Sequence, residues 1–108
     1  MAKQQHKKTL IKIVNEQFYL SKVKGGGMVK IEAWKNTSEE IVKYSMAYIN
    51  HTIFSKDNGR VIGYDNSHAY HHRHYFGKIT PLTDFTSYEN QVSIFEKELR
   101  EIINEHTN

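Results

Sequence analysis

The sequence predicts an α+β fold: an antiparallel β-meander of about four to five strands covered by one C-terminal α-helix. Three observations lead to this prediction. Segments of alternating apolar and polar residues, separated by turn residues, fill most of residues 17–79. The connections between them are too short for the crossovers that parallel strands need. After Pro81 the apolar residues recur at helical spacing, and a small sheet needs such a helix to cover its core.

Length and composition agree with one folded domain. The chain has 108 residues, so residues 1–108 are expected to form a single domain. Hydrophobic residues make up 38% and charged residues 25%, which is typical of a folded protein. The absence of cysteine excludes disulfides and thiolate metal sites and favours a reducing cytoplasm. Because no apolar run could span a membrane and no signal-type stretch follows the N-terminus, we expect no membrane partner.

Charge is distributed unevenly along the chain. Residues 1–24 contain six lysines and one glutamate, a net charge of +5, and residues 84–108 contain two basic and six acidic residues, a net charge of −4. Residues 1–8 are predicted to form a flexible basic terminus. A basic surface of this kind can meet phosphate groups. A solvated surface with no such role is the simpler interpretation of a lysine-rich terminus alone.

The first two strands are predicted on either side of a glycine turn. At least residues 17–24 are predicted to form a strand, whereas the pattern of residues 9–14 is ambiguous. Glycines 25–27 are expected to form the turn because glycine tolerates unusual φ angles. Residues 28–34 alternate strictly and predict a half-buried strand. Its apolar positions are Val29, Ile31 and Ala33.

Three further strands are expected before the helix. Residues 41–54 alternate again, with Val42, Tyr44, Met46 and Tyr48 on one face. Asn58 and Gly59 predict a hairpin turn, because both residues tolerate positive φ. Residues 60–66 then return as a strand, and residues 71–79 form another that ends before Pro81.

The last segment is predicted to be a helix over residues 87–105. Thr86 and Glu89 have the spacing of a capping box, which marks a helix N-terminus. Apolar residues then recur every three or four positions, at Tyr88, Val92, Phe95, Leu99, Ile102 and Ile103. Such a stripe favours packing against the sheet over a binding role.

The segment from Tyr64 to Phe76 is the candidate functional region. It contains four of the seven histidines: His68, His71, His72 and His74. Because side chains alternate along a strand, His72 and His74 should share one face, with Tyr70 and Phe76 in line. The opposite face should carry His71, Arg73 and Tyr75. Asp65, on the preceding strand, can approach one ring and orient it.

General acid–base cleavage of RNA is the leading hypothesis for this segment. One histidine takes a proton from the ribose 2′-OH, another protonates the leaving oxygen, and a cation stabilises the charge on the phosphate. This chemistry requires no cofactor. The predicted catalytic residues are His72, His74, His71, Arg73 and Asp65. The position of Arg73 on the opposite face counts against its role as the phosphate contact.

Three alternatives remain open. A divalent transition metal such as zinc could be held by His72, His74, His68 and Asp65. RNA could bind without chemistry through Arg73, Tyr64, Tyr70, Tyr75, Asn66 and Lys78, because aromatic rings stack on bases and cations meet phosphates. The segment could also be an ordinary polar sheet edge. Trp34 is assigned to packing or edge cover in preference to base stacking.

A resemblance adds to these hypotheses. The chain carries a tyrosine-rich strand with Tyr44 and Tyr48, then Tyr64-Asp65-Asn66, then His71-His72-Arg73-His74. This order resembles the TumE-type toxin family of bacterial and archaeal toxin–antitoxin systems. The resemblance implies a small cytoplasmic toxin whose partner is a helix-turn-helix antitoxin. The expected action on RNA comes from the residue chemistry and not from the resemblance. Besides the antitoxin, the expected partners are RNA and a second copy of the chain.

Overall fold

A computed structural model describes residues 9–107 and contains six strands followed by one long helix in that range. The strands are β1 (Ile11–Tyr19), β2 (Met28–Lys35), β3 (Ile41–Ile49), β4 (Arg60–Asp65), β5 (His72–Tyr75) and β6 (Lys78–Pro81), and the helix is α1 (Tyr88–Thr107). Each strand pairs antiparallel with the next along the chain. The predicted α+β meander is confirmed, with slightly more strands than expected. The predicted flexible terminus at residues 1–8 lies outside the described residues.

The first strand lies earlier in the chain than predicted. Strand β1 covers most of the ambiguous residues 9–14, and the predicted strand at 17–24 is wrong beyond Tyr19. Leu20 instead opens the turn, because its main-chain N–H donates to the carbonyl of Gly27 at 2.9 Å. The alternation was hard to follow because the register with β2 shifts between Lys12 and Val14.

The segment at residues 71–79 forms two strands, so its assignment to one strand is wrong. Strands β5 and β6 are joined by a tight turn at Phe76 and Gly77, whose φ angles are 47° and 84°. Two consecutive positive φ angles are the mark of a two-residue hairpin turn. A phenylalanine rarely adopts this conformation, and Phe76 does so while its ring packs 5.9 Å from that of Phe54.

The connection between β3 and β4 is also longer than expected. Asn58 and Gly59 have positive φ angles of 56° and 80°, as predicted. They close a loop over residues 50–59, and the predicted strand at 41–54 ends at Ile49. The ends of this loop are tied together, because the main-chain N–H of Asn50 donates to the carbonyl of Gly59 at 2.8 Å.

Helix α1 begins one residue later than its predicted boundary. Its cap is Ser87, whose hydroxyl oxygen accepts from the main-chain N–H of Asn90 at 3.0 Å, so the predicted cap at Thr86 is wrong. Phe95, Leu99 and Ile102 are buried in the core, as the apolar stripe predicts. No helix within residues 9–107 is both long enough and apolar enough to pass through a membrane.

The core lies between α1 and one face of the sheet. The buried side chains of β2 are Val29, Ile31 and Ala33, and those of β3 that face them are Tyr44, Met46 and Tyr48. The other side of the sheet, which we call the open face, carries the alternate residues. Across β2 to β5 the register there aligns Glu32, Ser45, Asp65 and His72.

We predict that Phe95→Ala destabilises the protein by about 3–5 kcal/mol, because it removes a fully buried ring between helix and sheet. Glu96→Ala, at the adjacent exposed position, should change the free energy of unfolding by less than about 0.5 kcal/mol. Urea denaturation of both variants checks this. Equal effects of the two substitutions would contradict the placement of α1 on the core.

Candidate functional site

Asp65, His72 and His74 come together on the open face. Asp65 of β4 is directly opposite His72 of β5, and His74 follows two residues later on the same side. This confirms the expected geometry of the two histidines and of the neighbouring aspartate. All three are nearly sealed from solvent, with 8%, 3% and 5% of their surfaces exposed. Buried ionisable groups require compensation, so their partners decide what this cluster can do.

The two imidazole rings share one carboxylate. His72 Nε2 lies 3.0 Å from Asp65 Oδ1, and His74 Nε2 lies 3.2 Å from Asp65 Oδ2. Ser67 also binds Oδ1, donating from its main-chain N–H at 3.0 Å and from its hydroxyl at 2.7 Å. Although burial favours the protonated acid, the hydrogen bonds from Ser67 and the nearby histidines lower the pKa of Asp65. The aspartate is therefore an anion at neutral pH.

His72 has a hydrogen-bond acceptor at each ring nitrogen. Its Nδ1 lies 3.1 Å from the main-chain carbonyl oxygen of Tyr70, and its Nε2 faces the carboxylate of Asp65. Carbonyl and carboxylate oxygens only accept hydrogen bonds. The geometry is therefore satisfied by a ring protonated on both nitrogens, or by a metal ion in place of the proton at Nε2. The ring of Tyr70 packs against His72 with 4.6 Å between centroids.

The surroundings of His74 favour its neutral form. Burial, followed by the positive charge of Arg60, lowers the pKa of His74, so its ring is neutral at neutral pH. Its Nε2–H can donate to Asp65, which leaves a lone pair at Nδ1. That nitrogen is buried and has no hydrogen-bond partner among the described residues. The nearest carboxylate oxygen, Asp57 Oδ2, is 3.6 Å away, which is too long for a hydrogen bond.

Sequence reasoning missed Asp57 and Arg60. Arg60 donates from Nε and Nη2 to the two carboxylate oxygens of Asp57, at 3.2 Å each, and its Nη1 lies 3.7 Å from Asp65 Oδ2. Its side chain passes over Gly63, where a Cβ would lie 3.0 Å from Arg60 Cδ. The signal for this pair was an acid and a base three residues apart around the Asn58–Gly59 turn.

Arg73 and His71 lie on the opposite face, away from the cluster. Arg73 binds Glu98 of α1 through Nη2, and Glu98 also accepts from the hydroxyl of Tyr64. The His71 ring stacks on Phe85 at 3.6 Å between centroids. The structure therefore separates these two predicted catalytic residues from His72 and His74.

The ring of His71 also forms a hydrogen bond, on the face of the sheet that α1 covers. Burial, followed by the charge of Asp65, raises the pKa of Tyr44 to about 12. Burial, followed by the charge of His72, lowers the pKa of His71. A neutral ring can therefore accept at Nδ1 from the Tyr44 hydroxyl, 2.9 Å away. This contact ties the start of β5 to the core.

The six residues predicted to bind RNA differ in exposure and in their partners. Tyr64 is buried under α1, and the side chain of Asn66 joins β3 by accepting from Tyr44 N and donating to the carbonyl of Val42. These two have structural partners. Tyr70, Tyr75 and Lys78 are exposed. Arg73, the sixth predicted residue, lies over the ring of Tyr75 at 4.2 Å.

The cluster also has the donor set of a metal site. Within the described part of the chain, Asp65, His72 and His74 each offer a ligand atom, and these atoms lie within 4.8 Å of one another. Two imidazoles and a carboxylate suit zinc and other first-row divalent ions. The carbonyl of Tyr70 at Nδ1 of His72 is the kind of outer contact that orients a metal-binding histidine. His68, the fourth predicted ligand, is exposed and lies outside this group.

A groove on another part of the surface does not coincide with this chemistry. It has a volume of about 770 Å³ and runs between the glycine turn at residues 25–27 and the loop at residues 50–59. Its lining includes His51 and His106 but none of the three clustered residues. The cluster is the stronger candidate for a functional site, because converging ionisable groups indicate chemistry better than concavity alone does.

Comparison with protein families adds independent evidence. The family model described as Toxin TumE matches residues 6–103, which is nearly the whole chain. The chain belongs to the TumE toxin family. A TumE toxin is one component of a toxin–antitoxin system, and therefore implies an antitoxin partner. No curated protein and no solved structure matches the chain.

We predict that the TumE toxin becomes less stable as the pH falls below the ordinary pKa of histidine, about 6.5. Folded His74 has a lowered pKa, so the unfolded chain binds more protons in this window, and the free energy of unfolding decreases as pH decreases. The contribution of His74 to the free energy of unfolding is fully present above the pKa that histidine has in the unfolded chain. His71 acts with the same sign.

Thermal melts between about pH 7.5 and pH 5.5 check this pH dependence. His74→Gln should make the decline in melting temperature shallower, whereas His68→Gln, at an exposed position of the same segment, should leave it unchanged. If His74→Gln melts with the wild-type slope, the neutral state assigned to buried His74 is wrong.

Proposed function

We propose that this TumE toxin cleaves RNA by metal-independent acid–base chemistry at Asp65, His72 and His74. The observation that supports the proposal is that two buried imidazoles share one carboxylate, and that one of them, His74, has a lowered pKa and an Nδ1 atom without a hydrogen-bond partner among the described residues. An acid and a base held side by side are what cleavage next to a ribose 2′-OH requires. DNA lacks that hydroxyl, so RNA is the favoured substrate.

In the proposed reaction His74 is the base and His72 is the acid. The lone pair at Nδ1 of His74 takes the proton of the 2′-OH, and the 2′-oxygen forms a bond to phosphorus. The bond from phosphorus to the 5′-oxygen breaks, and His72 gives that oxygen a proton. The products are a 2′,3′-cyclic phosphate and a free 5′-hydroxyl. Asp65 orients both rings and stabilises the positive charge of the acid.

Arg60 replaces Arg73 as the cation of the site. Its Nη1 lies 3.7 Å from Asp65, next to the two histidines, whereas Arg73 is engaged with Glu98 beneath the sheet. A fixed cation stabilises the charge that develops on the phosphate. In the resting structure Asp57 holds the remaining guanidinium nitrogens of Arg60, which keeps the arginine beside the cluster.

The substrate reaches the cluster only when its cover moves. His72 and His74 are 3% and 5% exposed, while Tyr70, whose ring lies against His72, is 44% exposed. Tyr70 follows two residues with positive φ, His68 and Ala69. Rotation of Tyr70 away from His72 would open the acid to an RNA phosphate without disturbing the strands.

Zinc binding without turnover is the second candidate function. Both Nε2 atoms lie within 3.2 Å of carboxylate oxygens, a spacing that suits ligands of one tetrahedral ion. His72, His74 and Asp65 would hold the ion, which would supply a Lewis acid beside Arg60. The helix-turn-helix type of the antitoxin, a toxin homodimer and a cytoplasmic location stay predictions.

We predict that the purified toxin cleaves end-labelled RNA in excess EDTA. His72→Ala and His74→Ala should each lower the rate at least about 100-fold, since each removes one partner of the acid–base pair. His68→Ala is the matched control and should cleave at the wild-type rate, because His68 lies outside the cluster. Wild-type cleavage by both cluster variants would refute the assigned roles.

The zinc alternative predicts a bound metal ion and no cleavage of RNA. Elemental analysis should then find stoichiometric metal, and zinc should raise the melting temperature of the wild type but not of His72→Ala. Purified wild-type toxin that contains no metal and is not stabilised by zinc would exclude this candidate.

A further inference from the structure

The open face carries an aromatic and cationic surface next to the cluster. Trp34, the only tryptophan of the chain, lies on β2 between Lys12 of β1 and Lys43 of β3 in the strand register. The ammonium groups of Lys12 and Lys43 lie 5.0 Å and 4.6 Å from the centre of the indole ring. The ring is only partly buried. Trp34, which the sequence assigned to packing or edge cover, packs against two lysines and keeps part of its ring exposed.

The charge of this surface is mainly positive. Lys30 lies on the same side of β2 as Trp34, because the two are four positions apart and side chains alternate along a strand. Glu32, between them, is the acidic residue of the surface and forms an ion pair with Lys12 at 2.6 Å. The hydrogen bond from Lys12 lowers the pKa of Glu32, so this pair is charged. Lys30 and Lys43 add positive charge that Glu32 does not offset.

The surface is continuous with the cluster. On the open face, Glu32 is opposite Ser45, Ser45 is opposite Asp65, and Asp65 is opposite His72. Neighbouring strands are about 4.8 Å apart, so the row from β2 to β5 spans about 15 Å. Trp34 stands two residues along β2 from this row. A few extended nucleotides could cover that distance.

We infer that the open face binds single-stranded RNA and delivers it to the cluster. One base stacks on Trp34, and Lys12, Lys30 and Lys43 contact the phosphates. Base stacking on an exposed aromatic ring is stronger than an exposed cation–π contact, so a base can displace the lysines from the indole ring. The displaced ammonium groups then turn to the phosphates. The strand must be unpaired, because paired bases do not offer their faces.

This inference rests on the proposed action on RNA, and it names the surface and the form of the substrate. An acidic protein is the other ligand that such a basic face could attract. The indole ring distinguishes the two, because stacking of a base changes the fluorescence of Trp34, whereas attraction by charge alone does not require contact with the ring.

The test uses a short unpaired 2′-O-methyl oligonucleotide of mixed sequence, which lacks the free 2′-OH and so reports binding without cleavage. Titration should quench the fluorescence of wild-type Trp34 to saturation. The same oligonucleotide annealed to its complement should bind more weakly and quench less. Quenching by polyglutamate, or equal binding of the duplex, would overturn the inference.

Variants are compared by the anisotropy of a fluorescein-labelled oligonucleotide, with thermal melts to show that each is folded. Trp34→Ala should weaken binding about tenfold. Lys43→Gln should lower the slope of log affinity against log salt by about 0.7, the value for one phosphate contact on a single strand. Lys97→Gln makes the same charge change at an exposed position of α1, on the other side of the sheet, and should bind like the wild type.

The outcomes separate this inference from the proposed function. If the wild type cleaves RNA but Trp34→Ala and Lys43→Gln bind as tightly as Lys97→Gln, the surface is wrong and the cleavage proposal stands. If the oligonucleotide binds through Trp34 but RNA is not cleaved, the surface stands and the acid–base proposal fails. Absence of any binding to the wild type would overturn the inference.

Discussion

The buried carboxylate of Asp65 is the constraint on which the site depends. A charge with only 8% of its surface exposed must be compensated, and Asp65 is compensated by Ser67, His72, His74 and Arg60. These partners come from the turn after β4, from β5 and from the start of β4. One anion therefore links β4, β5 and the turn between them, and it faces the Nε2 atoms of both histidines.

Side chains alternate between the two faces of β5, so neighbouring residues have different partners. His72 and His74 face the open side and meet Asp65, whereas Arg73 between them faces α1 and binds Glu98. Because Glu98 also accepts from Tyr64, the helix is joined to β4 and β5 at one point. The helix contact orients the strand whose other side carries the histidines. Stability and chemistry thus use alternate residues of one short strand.

Much of this arrangement followed from local sequence patterns. Strict alternation placed His72 and His74 together and Arg73 opposite them, and this required no knowledge of the tertiary structure. The pairing of Arg60 with Asp57 had a signal in their spacing, but the position of Arg60 beside the cluster had none, because it depends on the loop at residues 50–59 and on the space above Gly63. The turn at Phe76 was missed because a bulky residue rarely adopts positive φ, and neighbouring packing overrides that preference here.

The separation between the cluster and the groove beside the glycine turn is consistent with an extended substrate. A small ligand is usually enclosed by a pocket, yet Asp65, His72 and His74 lie outside the groove of about 770 Å³ and on a sheet face that α1 does not cover. A nucleic-acid strand needs no pocket, because an open sheet can offer stacking, cations and catalytic groups in sequence along its path. On the open face Trp34 and the lysines precede the histidines in that order across the strands. In the proposed reaction the ring of Tyr70, which packs 4.6 Å from that of His72, has to move before a bound strand can meet the acid.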